Sequence, residues 1–338
     1  MKFTSQKKKA IVMYILEKIA RGEKGVTKAA AEACDISQNT ANTYVKELLA
    51  AGVIRKIKNG TFELVTRRYE RDFLRSKGEL VVDTTPYDVF LAPLIAHLDN
   101  NILHIWSYAF SEMVNNVIDH SEAERMRVIV HQNYMTTTVY VLDDGVGVFQ
   151  KIQNHFSLPS LEDAICELMK GKLTTDEKNH SGEGIFFSSK MMDSFVILSG
   201  NKVYAVSKDA DDIFGELGGC SGTGTCVRME LSNFSNKTTI AIFNQYSNED
   251  DHFVKTRVFL KNIFDAAPVS RSQAKRVCHR LDSFQEVLID FEGIDWMGQG
   301  FAHQLFVVYQ NQHPTIKLMP INMSDGVASM YRHVTNTQ

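Results

Sequence analysis

Glu112 and Asn116 stand four residues apart in Ser-Glu-Met-Val-Asn-Asn-Val-Ile-Asp-His-Ser, residues 111–121. On a helix that spacing puts a carboxylate and a carboxamide one turn apart on the same face, where they can treat a single ligand together. The carboxylate can take a proton from water or a hydroxyl. The amide oxygen is a hard donor suited to Mg²⁺, which prefers a few protein oxygens supplemented by phosphate and water. By itself such a pair is also ordinary composition for a solvated helix. Later segments give it company. Tyr140-Val-Leu-Asp-Asp-Gly-Val-Gly-Val148 carries Asp143-x-Gly145-x-Gly147, and Ser181-Gly-Glu-Gly-Ile-Phe186 carries Gly182-x-Gly184. Cys220 to Leu231 runs through Gly-Thr at Thr225 into alternating apolar and polar residues.

These residues need elements to hold them. Ile105 to His120 is predicted as a helix whose Met113, Val114, Val117 and Ile118 face a core, preceded by a helix from Phe90 to Leu103 with Pro93 near its start. Arg127–His131 and Thr137–Leu142 alternate as strands joined around Asn133, the second ending at Asp143. Ile185–Met192 follows the Gly182-x-Gly184 turn as a helix. Leu161–Lys170 also has helical periodicity, and Gly171–Ser181 is polar.

In this order the segments resemble the asparagine box and the two glycine boxes of the GHKL ATPases, the group of gyrase B, MutL, histidine kinases and anti-sigma-factor kinases. The resemblance spans about a third of the chain and implies an α/β sandwich over residues 73–250 that binds ATP with Mg²⁺. It assigns Glu112 as general base and Asn116 as the Mg²⁺ ligand. Asp143 would accept from the adenine amino group, with Thr225 beside it, and Gly145 and Gly147 would let the backbone approach the base. Gly182 and Gly184 would present backbone N–H groups to phosphate at the start of a helix. The pattern departs from the family at the second glycine box, where Ile185-Phe186 replaces a Leu and a third glycine. Phe149–Ser181 falls where the family keeps its ATP lid. Lys172, Lys178 or His180 there would either reach a phosphate or be solvated, and His120 would bond locally.

The first 72 residues read as an α+β unit. Lys8–Arg21 is a helix with Ile11, Ile15, Leu16 and Ile19 on one stripe, and Thr27 would cap a short helix from Lys28 to Ala33. Ser37 is a good N-cap for Gln38–Ala50. Two short strands flank Asn59-Gly60, a type I′ hairpin signal. The order resembles a winged helix-turn-helix of bacterial regulators and implies DNA binding. On Gln38–Ala50, the residues Ala41, Tyr44 or Val45, Leu48 and Leu49 would face inward. Gln38, Asn39, Asn42, Thr43 and Lys46 would face outward to base edges and phosphates. Arg55, Lys56 and Lys58 on the wing would hold phosphates. A bland alternative is a protein-contact module. Arg67, Arg68, Arg71 and Arg75 would extend the basic face or lie on a solvated connecting helix.

Residues 251–338, beyond a linker at Glu249-Asp250-Asp251, alternate strand and helix and suggest a small α/β layer. Asp290-Phe-Glu-Gly-Ile-Asp-Trp-Met-Gly-Gln-Gly-Phe301 resembles STAS domains, and more closely a STAS-like domain of unknown function that follows such ATPases. STAS antagonists carry a phosphorylatable Ser at the start of the next helix. Gly298-Gln299-Gly300 offers no hydroxyl there, and Trp296 and Met297 suit a core or an interface.

Charge divides the chain the same way. Residues 1–75 hold 16 basic and 8 acidic residues, and the remainder holds 21 and 32. A basic head on an acidic body suits a polyanion at the head alone. Five scattered cysteines with no Cys-x-x-Cys pair suggest neither zinc nor a disulfide framework. Apolar runs too short for a membrane span and the lack of a signal segment point to a cytoplasmic protein. The expectation is a nucleotide-dependent regulator, a homodimer as its resemblance implies, with a protein partner or a second copy on the STAS-like domain. A protein kinase of the anti-sigma or histidine-kinase type is the alternative. His97 and His104 precede the asparagine box without a phosphoacceptor signature. A module that binds ATP without turnover is a third reading.

Overall fold

The stripe Ile11, Ile15, Leu16 and Ile19 is buried along α1 (Ser5–Ala20), which Thr4 caps through its side chain. The computed structural model describes residues 4–57, 61–173, 182–205, 223–248, 252–264 and 266–336. Lys58 with the Asn59-Gly60 turn, Lys178, His180, Ser181, Cys220 and the Glu249–Asp251 linker lie outside the described residues. The helix α2 (Val26–Cys34) starts from Gly25 at φ 68°, so Thr27 sits inside its first turn rather than capping it. In α3 (Gln38–Ala50) the Ser37 hydroxyl accepts from Thr40 N at 3.1 Å. Strands β1 (Ile54–Lys56) and β2 (Phe62–Leu64) pair antiparallel, Arg55 opposite Glu63. Ala41, Tyr44, Val45 and Leu48 of α3 complete one apolar cluster with the α1 stripe.

The chain forms two compact units. The first comprises Met1–Arg71, Val128–Val139 and Glu230–Ser235. Besides the helices and the β1–β2 hairpin it holds a turn built on Asn133. The Asn133 side chain accepts from Met135 N at 2.8 Å and Thr136 N at 2.9 Å. Asn233 locks the same turn, donating to Asn133 O at 2.9 Å and accepting from Thr137 Oγ1 at 2.7 Å. This is the connection expected around Asn133.

The second unit comprises Asp72–Arg127, Tyr140–Met229 and Asn236–Gln338. Next along the chain come β3 (Arg67–Leu74), the helix α4 (Asn100–Asn115), β4 (Arg125–Gln132), β5 (Thr136–Asp143), α5 (Val148–His155) and α6 (Leu161–Lys170). They are followed by α7 (Gly184–Met191), β6 (Ser194–Ser199), β7 (Lys202–Ala205), β8 (Thr225–Ser232) and α8 (Thr239–Tyr246). Among the described residues these strands form a sheet of order β3-β4-β5-β8-β6-β7. Every residue of β6 is buried, as expected for a short apolar run with both faces covered.

Two expectations fail here. The arginine-rich stretch after residue 66 is the edge strand β3, not a solvated helix. Tyr69 and Phe73 alternate with charged residues, and charge on an edge strand blocks pairing with foreign strands. The expected helix from Phe90 to Leu103 is two pieces. Helical turns over 84–95 end before Asp99, whose extended backbone (ψ 150°) starts α4 afresh at Asn100. After Asn115, α4 widens into a π-helical turn, Asn116–His120, a feature frequent at functional sites.

The C-terminal layer has β9 (Lys255–Phe259), α9 (Arg271–Cys278), β10 (Glu286–Asp290), α10 (Gln299–His303), β11 (Lys317–Ile321) and α11 (Asp325–Thr335). Its strands pair in parallel, β9 and β11 flanking β10. Parallel neighbours need crossovers, and α9 and α10 supply them. Ser270 caps α9, in a reciprocal capping box with Gln273. Among the described residues no helix is long and apolar enough to cross a membrane.

Candidate functional site

Glu112 and Asn116 lie on the last turn of α4 and the π-helical turn after it. Met113, Val114 and Val117 are buried and hold that face against the core, while Ile118 is half-buried. The end of this segment is capped from β3's side. Arg75 donates through Nε to Ala123 O at 2.8 Å and through Nη2 to Ile118 O at 3.0 Å and Val117 O at 3.3 Å. A cation on the final carbonyls of a helix both satisfies them and matches the helix dipole. Arg75 is therefore part of the site's scaffold and not of the basic face.

A single concave pocket gathers Glu112, Asn116, Asp143, Gly147, Gly182, Gly184 and Thr225. These residues are drawn from segments far apart in sequence. Gly145 stands behind the wall. A Cβ there would meet Ser121 O at 2.0 Å, and the neighbouring Val146 N donates to that same oxygen at 2.9 Å. Close backbone docking of the Asp143–Gly147 loop on Ser121 is thus what the missing side chain permits. Gly184 is pressed from the pocket side: a Cβ there would lie 1.9 Å from Glu112 Oε2. The carboxylate of Glu112 consequently sits at the N-terminus of α7, where backbone N–H groups and the helix dipole favour an anion.

Asp143 is a half-buried acid of the pocket. Burial raises its pKa, opposed by hydrogen bonds from Gly145 and Thr225. Gly145 N donates to Oδ1 at 2.8 Å. Thr225 Oγ1 accepts from Val148 N at 3.0 Å and so ties β8 to the start of α5. Burial also raises the pKa of Tyr108, one turn before Glu112, with Glu112 and Glu183 adding to the shift. Val141, Val148, Ile152, Ile197 and Val227 give the pocket an apolar floor. Convergent polar groups over an apolar floor are the usual form of a small-molecule site.

Some lining residues were not singled out from sequence. Lys151, one turn into α5 from Gly147, lines the pocket and donates to His120 O, with Glu122 Oε1 at 3.3 Å. Asn115 also lines the pocket and donates to Asp83 Oδ2 at 3.5 Å. His120 lines it too, and its carbonyl accepts from Lys151, 31 positions further along the chain rather than from a local partner. Lys172 turns elsewhere. It donates to Ser283 O at 2.9 Å and lies over the rings of Phe284 and Phe253 at 5.2 and 5.6 Å. Among the described residues no group of three or more His, Cys, Asp or Glu could hold a metal ion. A divalent ion at Asn116 would accordingly depend on oxygens brought by its ligand, as Mg²⁺ sites commonly do.

On the first unit, Gln38, Asn39, Thr43 and Lys46 are exposed along α3 and Asn42 is half-buried. Thr43 Oγ1 donates to Asn39 O at 3.0 Å. Lys56 is exposed, and Arg55 is engaged by Glu63 across the hairpin.

Residues 273–328 match the family described as a STAS-like domain of unknown function (DUF4325). The match runs from within α9 to the first turn of α11, so the C-terminal layer carries a STAS-like domain. No curated protein matches the chain.

Proposed function

We propose that the chain is an ATP-binding regulator of the GHKL type, with a winged helix-turn-helix for DNA at residues 1–72 and the STAS-like domain as a contact module. The observation that carries this reading is the convergence of Glu112, Asn116, Asp143, Gly182, Gly184 and Thr225 on one pocket. A desolvated carboxylate at Asp143 suits a base edge that donates an amino hydrogen. The amide of Asn116 suits Mg²⁺ shared with phosphate oxygens. A bound Mg²⁺ would neutralise phosphate charge, and Glu112 would accept the proton of the attacking hydroxyl. The exposed amides and Lys46 of α3 support base and phosphate contacts at the head. Nucleotide-linked pairing of two chains belongs to the same reading.

The test is equilibrium binding of Mg²⁺–AMP-PNP, followed by DNA gel shifts and light scattering with and without nucleotide. Binding that is lost in Asn116→Ala and in Asp143→Asn is expected. Unchanged affinity in both variants refutes the pocket assignment. Unchanged DNA affinity and mass would refute coupling, because a ligand shifts only equilibria whose states it binds differently. Label passing from γ-labelled ATP to a protein, without phosphate release, would instead mark the site as a protein kinase.

A further inference from the structure

Phe186 stands in the first turn of α7, two residues beyond Gly184, and lines the pocket. Its ring packs at 4.7 Å on Phe253 and at 5.0 Å, edge-on, on Tyr246. Phe253 in turn packs at 5.4 Å on Phe284, inside the segment that matches the STAS-like family. Gly171, at φ +84°, fits beneath both rings: a Cβ there would meet Phe186 at 2.9 Å and Phe253 at 3.0 Å. One wall of the pocket therefore continues as an aromatic stack into the C-terminal layer.

A second wall continues as a buried charge cluster. Leu168 and Leu173 line the pocket, and between them lies Lys170, with only 1% of its side chain exposed. Lys170 Nζ donates to Glu167 Oε1 at 2.7 Å and to two carbonyls of the STAS-like segment, His279 O at 2.6 Å and Arg276 O at 3.2 Å. His279 Nδ1 sits 2.9 Å from Glu167 Oε1. Arg280 donates to Lys172 O at 2.7 Å, while Lys172 donates back to Ser283 O. Buried charges with these partners fix one register, because a slipped arrangement would strand them unpaired.

We propose that residues 276–284 of the STAS-like domain are a coupling element for the pocket. What binds or moves that segment changes nucleotide affinity, and nucleotide changes that segment. The inference rests on the pocket's being a nucleotide site. Coupling between binding equilibria is reciprocal, so it must be visible from both ends. Closely packed rings and a buried charge cluster held by these bonds do not deform continuously; they keep or lose their arrangement as a whole.

The test uses the full chain and Mg²⁺–AMP-PNP. Arg280→Ala and Phe284→Leu alter the coupling element without touching a pocket-lining residue. Val327→Ala weakens the same domain from α11, outside the coupling element. We expect the first two to weaken AMP-PNP binding at least about 5-fold, the lower range of measured site–site couplings, and Val327→Ala to leave it within about 2-fold of the parent, the scatter of uncoupled sites. In the parent, AMP-PNP should slow amide exchange across 271–290 as well as across 112–121 and 143–152. Protection confined to the last two segments, with parent-like affinity in both variants, overturns the coupling and leaves the pocket reading intact. No protection in any segment overturns both.

Discussion

Adding one methyl group at Gly145 and at Gly184 separates the scaffold of the pocket from its chemistry. At Gly145 the new Cβ would lie 2.0 Å from Ser121 O, where ordinary contact begins at 3.4 Å, so about 1.4 Å must be found by moving backbone. The Val146 N–Ser121 O bond and the Ser121 Oγ–Val117 O bond, 2.9 and 2.7 Å, resist that movement. Overpacking costs about 1–3 kcal/mol and a lost hydrogen bond about 1 more, giving about 2–4 kcal/mol for Gly145→Ala. In a domain of this size that lowers the unfolding midpoint on the order of 10 °C. At Gly184 the clash is as short, 1.9 Å, but the atom met is Glu112 Oε2, the far end of a flexible side chain. Swinging Glu112 off its rotamer costs about 0.5–1.5 kcal/mol, and alanine in place of glycine in a helix returns about 0.5–1. Gly184→Ala should therefore unfold within about 2 °C of the parent while displacing the carboxylate. Thermal unfolding with phosphate release at saturating Mg²⁺–ATP tests both. Gly184→Ala that melts as low as Gly145→Ala would show Glu112 held rigidly by its surroundings. Gly184→Ala that melts like the parent and hydrolyses ATP at the parent's rate would show that Glu112 is not the base.

Asp143→Asn should lose AMP-PNP yet keep or gain stability at neutral pH. Because burial raises the folded-state pKa of Asp143, its protonated form favours folding below the ordinary carboxylate range, and that contribution disappears as pH rises through the folded value. Urea unfolding at several pH values should show the variant gaining on the parent as pH rises across this window; a constant difference contradicts the assignment. Lys170→Met should destabilise the second unit by up to about 3–5 kcal/mol, since Glu167 then loses its buried ammonium partner and keeps only His279 at 2.9 Å and the Arg280 guanidinium at 3.6 Å, whereas Glu167→Leu combined with Lys170→Met should recover most of the loss. Equal unfolding curves for the single and double variants would refute that account. Lys46→Ala should weaken DNA binding about equally on all sequences and reduce the slope of log affinity against log salt by about 1, while Gln38→Ala should relax preference at one base position. Salt titrations by fluorescence anisotropy decide between them.

Much of the candidate site was legible because its residues are placed by spacing along single elements. Glu112 and Asn116 needed only a helix, and Asp143 needed only a strand that ends in a glycine loop; both elements are present. Ser37 caps the helix that follows, because a side-chain oxygen serving N–H groups in the next turn is a local event. What escaped the sequence was set by partners far along the chain. Arg75 belongs to the site because carbonyls about 42 positions on need a donor. The arginines of β3 were misread because only a neighbouring strand, where Arg127 meets Asp72 at 2.6 Å, distinguishes an edge strand from a solvated helix. Asp99 split an expected helix, since its extended backbone overrides a continuous apolar pattern.

Lys170 shows why α6 and the C-terminal layer cannot be understood apart. On sequence it is the last residue of an amphipathic helix, where a cation is ordinary and solvated. In the fold it is fully covered, and its donors are spent on Glu167 and on carbonyls more than a hundred residues away. A leucine and a methionine of similar volume would fill the same space at no desolvation cost, so stability alone does not account for the pair. Glu167 Oε2 has no hydrogen-bond partner among the described residues, and Arg280 Nη1 lies 3.6 Å from it. A cluster so dependent on one alignment specifies how α6 meets the segment after α9. Since Leu168 lines the pocket from that same helix, whatever fixes the alignment also fixes the shape of the site.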